Sequence, residues 1–128
     1  MSSRRIIHSD QAPKAIGPYS QAVKVGNTVY LSGQTPIDPA TGELVAGDIA
    51  AQAHQVFKNL KAVLAAADLN FDKVARVGIY LIDLGNFVAV NEVMKTYFNE
   101  PYPARTTIGV AALPKAADVE IDMIAVID

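Results

Sequence analysis

Cysteine is absent from the 128 residues, which excludes disulfides, thiolate nucleophiles and thiolate metal sites together. Histidine is almost absent too. His8 and His54 stand far apart and make no recognisable metal-ligand spacing, so neither a metal nor another cofactor is expected. No stretch approaches the roughly 20 apolar residues of a membrane span. The opening Met1-Ser2-Ser3-Arg4-Arg5-Ile6-Ile7-His8 carries positive charge without an apolar run of signal-peptide length behind it. A soluble, cytoplasmic protein without a membrane partner is the expectation. Neither sign of charge dominates: eleven Lys and Arg against thirteen Asp and Glu give a formal net charge of −2. Basic residues cluster no further than Arg4-Arg5, so the electrostatic footprint of a nucleic-acid binder is missing. Repeats, low-complexity tracts and Pro/Gly/Ser linkers are lacking as well, and one domain over residues 1–128 is expected.

What is plentiful is apolar surface. Hydrophobic residues make up 51% of the chain and charged ones 19%, a balance that points to surface buried between subunits. Gly and Pro punctuate short elements. Ile16-Gly17-Pro18-Tyr19 turns into Ser20–Val25, and Gly26-Asn27 links that run to Thr28–Ser32, the pattern of a hairpin. Pro36–Glu43 is loop chemistry throughout. Asp48 is placed to cap a helix running to about Asp68. Ile49, Ala53, Val56, Phe57, Leu60, Val63, Leu64 and Ala67 form its apolar stripe, with His54, Lys58 and Lys61 opposite. That placement makes His54 a solvated surface residue. Val74–Ile82 is nearly continuous apolar sequence, interrupted by Arg76, and suits a strand buried on both faces. A second helix carries Phe87, Val90, Met94, Tyr97 and Phe98 along one side until Pro101 and Pro103 end it. Strands at about Arg105–Val110 and Val119–Ile127 follow. The order is strand, strand, helix, strand, helix, strand, strand: an α+β sandwich with both helices on one face of a mixed sheet.

Two charges interrupt those last strands. Arg105 and Glu120 each sit among apolar or β-branched neighbours, a costly placement unless they meet each other or a ligand. A structural salt bridge is one reading. The other is a device that holds a small carboxylic acid in the guanidinium fork and moves a proton on it. Alternation puts Arg105 and Thr107 on one face of their strand, and Glu120 and Asp122 on one face of theirs. Glu120 can therefore oppose Arg105 where strands or subunits meet. Gly17-Pro18 fixes the direction of Tyr19, whose amphipathic ring can cover a ligand or simply fill the core. In Leu31-Ser32-Gly33-Gln34, Gly33 permits close backbone approach, and its N–H can serve an anion or merely end a strand. Asn91, beside Val90 and Val93, reads either as an interface amide or as a pocket residue.

Taken together, Ala15-Ile16-Gly17-Pro18-Tyr19-Ser20-Gln21, Ser32-Gly33-Gln34, Asp83-Leu84 with Val90-Asn91, Pro103-Ala104-Arg105, Ala111-Ala112-Leu113-Pro114-Lys115 and Val119-Glu120-Ile121-Asp122 resemble the RidA (YjgF) family along essentially the whole chain. The resemblance implies a chorismate-mutase-like α+β fold assembled as a homotrimer, with clefts between subunits. It implies hydrolysis of short 2-imino acids, and of their enamine tautomers, to 2-oxo acids and ammonia. Carried over, Arg105 binds the substrate carboxylate with help from the Gly33 N–H, and Glu120 orients or activates water. Tyr19, Ser32, Asn91 and Thr107 line the pocket, some from the adjoining chain. Thr107 stands where many members carry cysteine, and Asp122 where a second glutamate is usual. A non-catalytic trimer that binds small 2-oxo acids, or acts like a chaperone, would use the same cleft. An RNA-cleaving role, a label the family has carried, fits least because basic and stacking surfaces are lacking.

Overall fold

The computed structural model describes residues 4–128; the first three residues of the expected domain lie outside that range. Strands β1 (Arg5–Ile7), β2 (Ala22–Val25), β3 (Thr28–Gln34), β4 (Val74–Leu81), β5 (Ala104–Gly109) and β6 (Val119–Val126) join helices α1 (Ile49–Ala66) and α2 (Phe87–Met94). They form one six-stranded sheet in the order β1-β2-β3-β6-β4-β5. Among the described strands only β4 and β5 run parallel. The β2–β3 hairpin turns at Gly26, in the left-handed conformation at φ 61°. Arg5–Ile7, an unassigned arm in the sequence, extends the hairpin as an edge strand.

β6 alternates strictly: Val119, Ile121, Met123 and Ala125 are buried, while Glu120, Asp122, Ile124 and Val126 are only half-buried. The buried row meets α1, whose stripe of Ala53, Val56, Phe57, Leu60, Val63 and Leu64 is fully enclosed. Asp48 caps that helix, its carboxylate accepting the Ala51 N–H at 3.0 Å, a contact of the kind that contributes about 1 kcal/mol. Phe57 stacks on Tyr97 at 5.0 Å and meets Phe98 edge-on, which docks α1 against the segment after α2.

Three expectations need correction. β4 is not buried on both faces; with the helices on one side only, Ala75 is exposed and Arg76 and Tyr80 half-buried on the other. α2 ends at Met94 rather than near Phe98, because Thr96 and Tyr97 close i−3 bonds to Val93 and Met94 instead of continuing the helical ladder. His54 is not a solvated residue. Its ring is half-buried, with Nδ1 2.9 Å from the Tyr97 hydroxyl.

Candidate active site

Sheet register decides where the charges go. Arg105 pairs with Val77 and Thr107 with Ile79, so both belong to the helix-covered face. Glu120 pairs with Tyr80 on the opposite, open face. Arg105 and Glu120 therefore do not face each other within one chain, and the intramolecular salt bridge falls. The expectation that they share a wall can hold only between chains.

On the covered side, β5 is the sheet edge, and its side chains reach past the sheet to α2. Arg105 donates through Nη1 to the Asn91 Oδ1, touches Met94 Sδ at 3.7 Å, and lies 5.2 Å from the centre of the Phe87 ring. Amide, thioether and aromatic face hold a guanidinium that is still exposed to solvent. A cleft of about 220 Å³ opens beside it, lined by Asn91, Met94, Lys95, Tyr102 and Pro103. Thr107 does not line it. The Thr107 hydroxyl oxygen is buried without a hydrogen-bond partner.

On the open side a larger cavity, of about 510 Å³, collects Tyr19, Gln21, Ser32, Gly33, Lys115 and Glu120. Between Leu31 and Gln34 the pairing with β6 slips by one residue, a bulge that bends β3 beside the cavity. Glu120 lies so close over Gly33 that a Cβ there would fall 2.0 Å from its Oε2, so any side chain at this position must push the carboxylate aside. Ser32 is tied down, its hydroxyl donating to the Ser20 carbonyl at 2.6 Å. The Tyr19 ring is half exposed, and its oxygen accepts the Ile16 N–H at 3.3 Å, leaving the phenolic O–H free to donate. Burial, and after it the Asp122 carboxylate, push the Glu120 carboxyl above its ordinary value. A carboxyl so placed accepts and returns a proton closer to neutrality than one in water.

The structure thus joins Tyr19, Ser32, Gly33 and Glu120 in one cavity, Asn91 and Arg105 in another, and leaves Thr107 in neither. Reading residues singly missed Phe87 and Met94, which look like plain core from their spacing. It also missed Gln21, whose buried amide bonds Ser9 and Pro13 and so fixes the wall of the larger cavity. A glutamine two residues after Gly-Pro-Tyr was its only signal in the sequence. Among the described residues, no group of three or more His, Asp or Glu could hold a metal ion, and no helix is long and apolar enough to cross a membrane.

Comparison with known proteins bears on the fold and the family. The family model described as Endoribonuclease L-PSP matches residues 9–127. The chain is 60% identical to a protein named DfrA from Myxococcus xanthus over 97% of its length and 96% of that protein. It is 52% identical, over the whole of both chains, to a 2-iminobutanoate/2-iminopropanoate deaminase from Dermatophagoides farinae. The crystal structure of RidA from an Antarctic Psychrobacter species superposes with a TM-score of 0.92 at 51% identity, covering 96% of this chain and 99% of that one. With its six-stranded mixed sheet, two helices and end-to-end match, the chain belongs to the RidA family.

Proposed function

We propose that this chain is a 2-iminobutanoate/2-iminopropanoate deaminase: a hydrolase that converts short 2-imino acids to 2-oxo acids and ammonia. The supporting observation is the pairing of full-length identity to a deaminase of that name with a braced, exposed guanidinium and a half-buried carboxyl in the same molecule. In this reading the substrate carboxylate lies in the Arg105 fork, where two parallel hydrogen bonds orient it. The Gly33 N–H, Tyr19, Ser32 and Asn91 complete the surroundings.

Glu120 takes a proton from water as the oxygen adds to the carbon of the protonated imine, giving a neutral carbinolamine. The same carboxyl then returns that proton to nitrogen, the carbon–nitrogen bond breaks, and the hydroxyl proton leaves with the ammonia as ammonium while the carbonyl forms. Each step is a proton transfer or an addition, with no change of redox state. Because Arg105 and Glu120 occupy opposite faces of their sheet, the reading requires one copy's Arg105 edge to meet a second copy's Glu120 cavity, as a cyclic homotrimer provides three times. One domain over 1–128, working in the cytoplasm without nucleic acid, membrane or cofactor, belongs to the same proposal.

Ammonia release from 2-iminopropanoate or 2-iminobutanoate, generated in situ by an amino-acid oxidase or a threonine dehydratase, tests it. Turnover is expected, and Arg105→Ala should abolish it. Saturable binding of pyruvate or 2-oxobutanoate without turnover would replace the enzyme with a ligand-binding protein.

A further inference from the structure

Glu120 has a neighbour that the mechanism above leaves unused. Asp122 follows it on the same face of β6, one side-chain step of about 7 Å along the strand. Across the ladder, Tyr80 pairs with Glu120 in register, yet its hydroxyl leans aside and donates to Asp122 Oδ2 at 2.9 Å. Arg76, also on β4, brings Nη1 to 4.0 Å from Asp122 Oδ1. The three side chains close over Gly78, where a Cβ would lie 2.4 Å from the Asp122 carboxylate and 3.0 Å from the Tyr80 hydroxyl. Glycine thus stands under both acids: Gly33 beneath Glu120 and Gly78 beneath Asp122. A hydrogen bond from a phenol and a cation in reach hold the Asp122 side chain in place, so the candidate base shares its face with a second, fixed acidic side chain.

We propose that Asp122, fixed by Tyr80 over Gly78, is a positioning residue whose charge governs when Glu120 holds its proton. The inference rests on Glu120 being the base of the proposed deaminase. The direction follows from electrostatics: a like charge at this separation disfavours the second ionisation, and the half-buried setting screens it less than water would. The push that Asp122 exerts on the Glu120 carboxyl, second only to burial, agrees with this. Other groups face Glu120 from the surrounding elements. Lys14 and Tyr19 come from the N-terminal segment and Lys115 from the loop before β6, all lining the same cavity. Tyr80 comes from β4, and Arg76 of the same strand is directed to Asp122. The Lys115 ammonium donates to the Gly42 carbonyl at 3.0 Å.

The test uses the full chain and two readouts: a carbon-13 titration of the Glu120 carboxyl and the acidic limb of the kcat/KM profile. Asp122→Asn keeps an acceptor for the Tyr80 hydroxyl and removes only charge. It should move the Glu120 titration to lower pH and raise activity on the acidic limb, relative to the plateau, about threefold. Tyr80→Phe removes the hydrogen bond that spreads the Asp122 charge and should move the titration the other way. The double variant should match Asp122→Asn alone, since Tyr80 acts through Asp122. A Glu120 titration unmoved in Asp122→Asn, or equally moved by Tyr80→Phe with and without Asp122, overturns the proposal. A carboxyl that shifts while the kinetic limb stays fixed upholds the coupling and instead removes Glu120 as the base.

Discussion

The Arg105 cleft and the Glu120 cavity hold their charges by opposite means. Arg105 stays in contact with water and is fixed by contacts alone: an amide, a sulfur and a ring from one side of α2. Glu120 is half-buried and fixed by absence, lying in the space left by the missing Gly33 side chain beside a bulge. The guanidinium never loses its charge, so its surroundings need only aim it. The carboxyl must change protonation state, and partial burial together with a second acid on its face raises its proton affinity. One half is built to bind and the other to move a proton. Each points away from the other, and the proposed trimer joins them.

The largest expected effect breaks or proves that division. Arg105→Ala and Glu120→Ala should each lower kcat/KM by a factor of about 10² or more, as truncating one partner of a desolvated charge contact costs roughly 2–5 kcal/mol. Neither variant should recover alone. Unfolded together and reassembled, equal amounts should regain about a quarter of wild-type activity, because one interface in four pairs an intact Arg105 edge with an intact Glu120 cavity. Mixed trimers that stay inactive would mean that both residues serve from one chain, and the two-half description would end there.

Next in size is Gly33→Ala. A methyl 2.0 Å from Glu120 Oε2 must displace that carboxylate, and displacement of a reacting group by about 1 Å costs about a hundredfold in rate. The loss should fall on kcat, with KM close to wild type. A loss confined to KM would shift the role of Gly33 from seating the carboxyl to binding the substrate.

Much of this layout was legible in the residues, and the part that was not has a physical reason. Period-two alternation found β6, and period 3.6 found α1 with its cap at Asp48, because burial on one face leaves those signatures locally. Arg105 and Glu120 stood out because a charge inside a strand pattern needs a partner. Alternation gives a residue's face relative to its own strand only. Which face of β5 matches which face of β6 is set by strand order and by the parallel β4–β5 pairing, both non-local. Hence the two charges emerged as a pair when the sheet separates them. His54 failed likewise: its stripe position was read correctly, but the aromatic cluster around Tyr97 covers that flank of α1 too. Short β1 was missed because three residues carry little pattern without the hairpin they pair with.

A smaller effect sharpens the Arg105 half. Asn91→Ala removes the polar partner of the guanidinium and should raise KM about five- to tenfold with kcat largely kept, the value of a charge-assisted hydrogen bond lost at an exposed site. Phe87→Leu keeps the apolar contact and removes the ring face, and should raise KM about threefold. If either variant instead lowers kcat at unchanged KM, the brace acts in the transition state and Arg105 does more than bind.

The smallest effect separates the halves without any substrate. A carboxyl whose folded-state proton affinity exceeds its unfolded one makes the folded chain hold more protons than the unfolded chain, so stability falls as pH rises through that window. Below the unfolded value both states are protonated, and the group costs nothing. Above the folded value the cost is complete. Glu120 is shifted in this sense by burial and by Asp122, so Glu120→Gln should raise the melting temperature by a few degrees near pH 7 and lose that gain near pH 3. A guanidinium carries its charge at both values, and Arg105→Met should change the melting temperature by the same amount at each. Thermal melts of the two variants at both pH values measure the contrast. A pH-independent change in Glu120→Gln would show that the carboxyl is as well accommodated folded as unfolded, and would erase the asymmetry between a half that only binds and a half under strain to titrate.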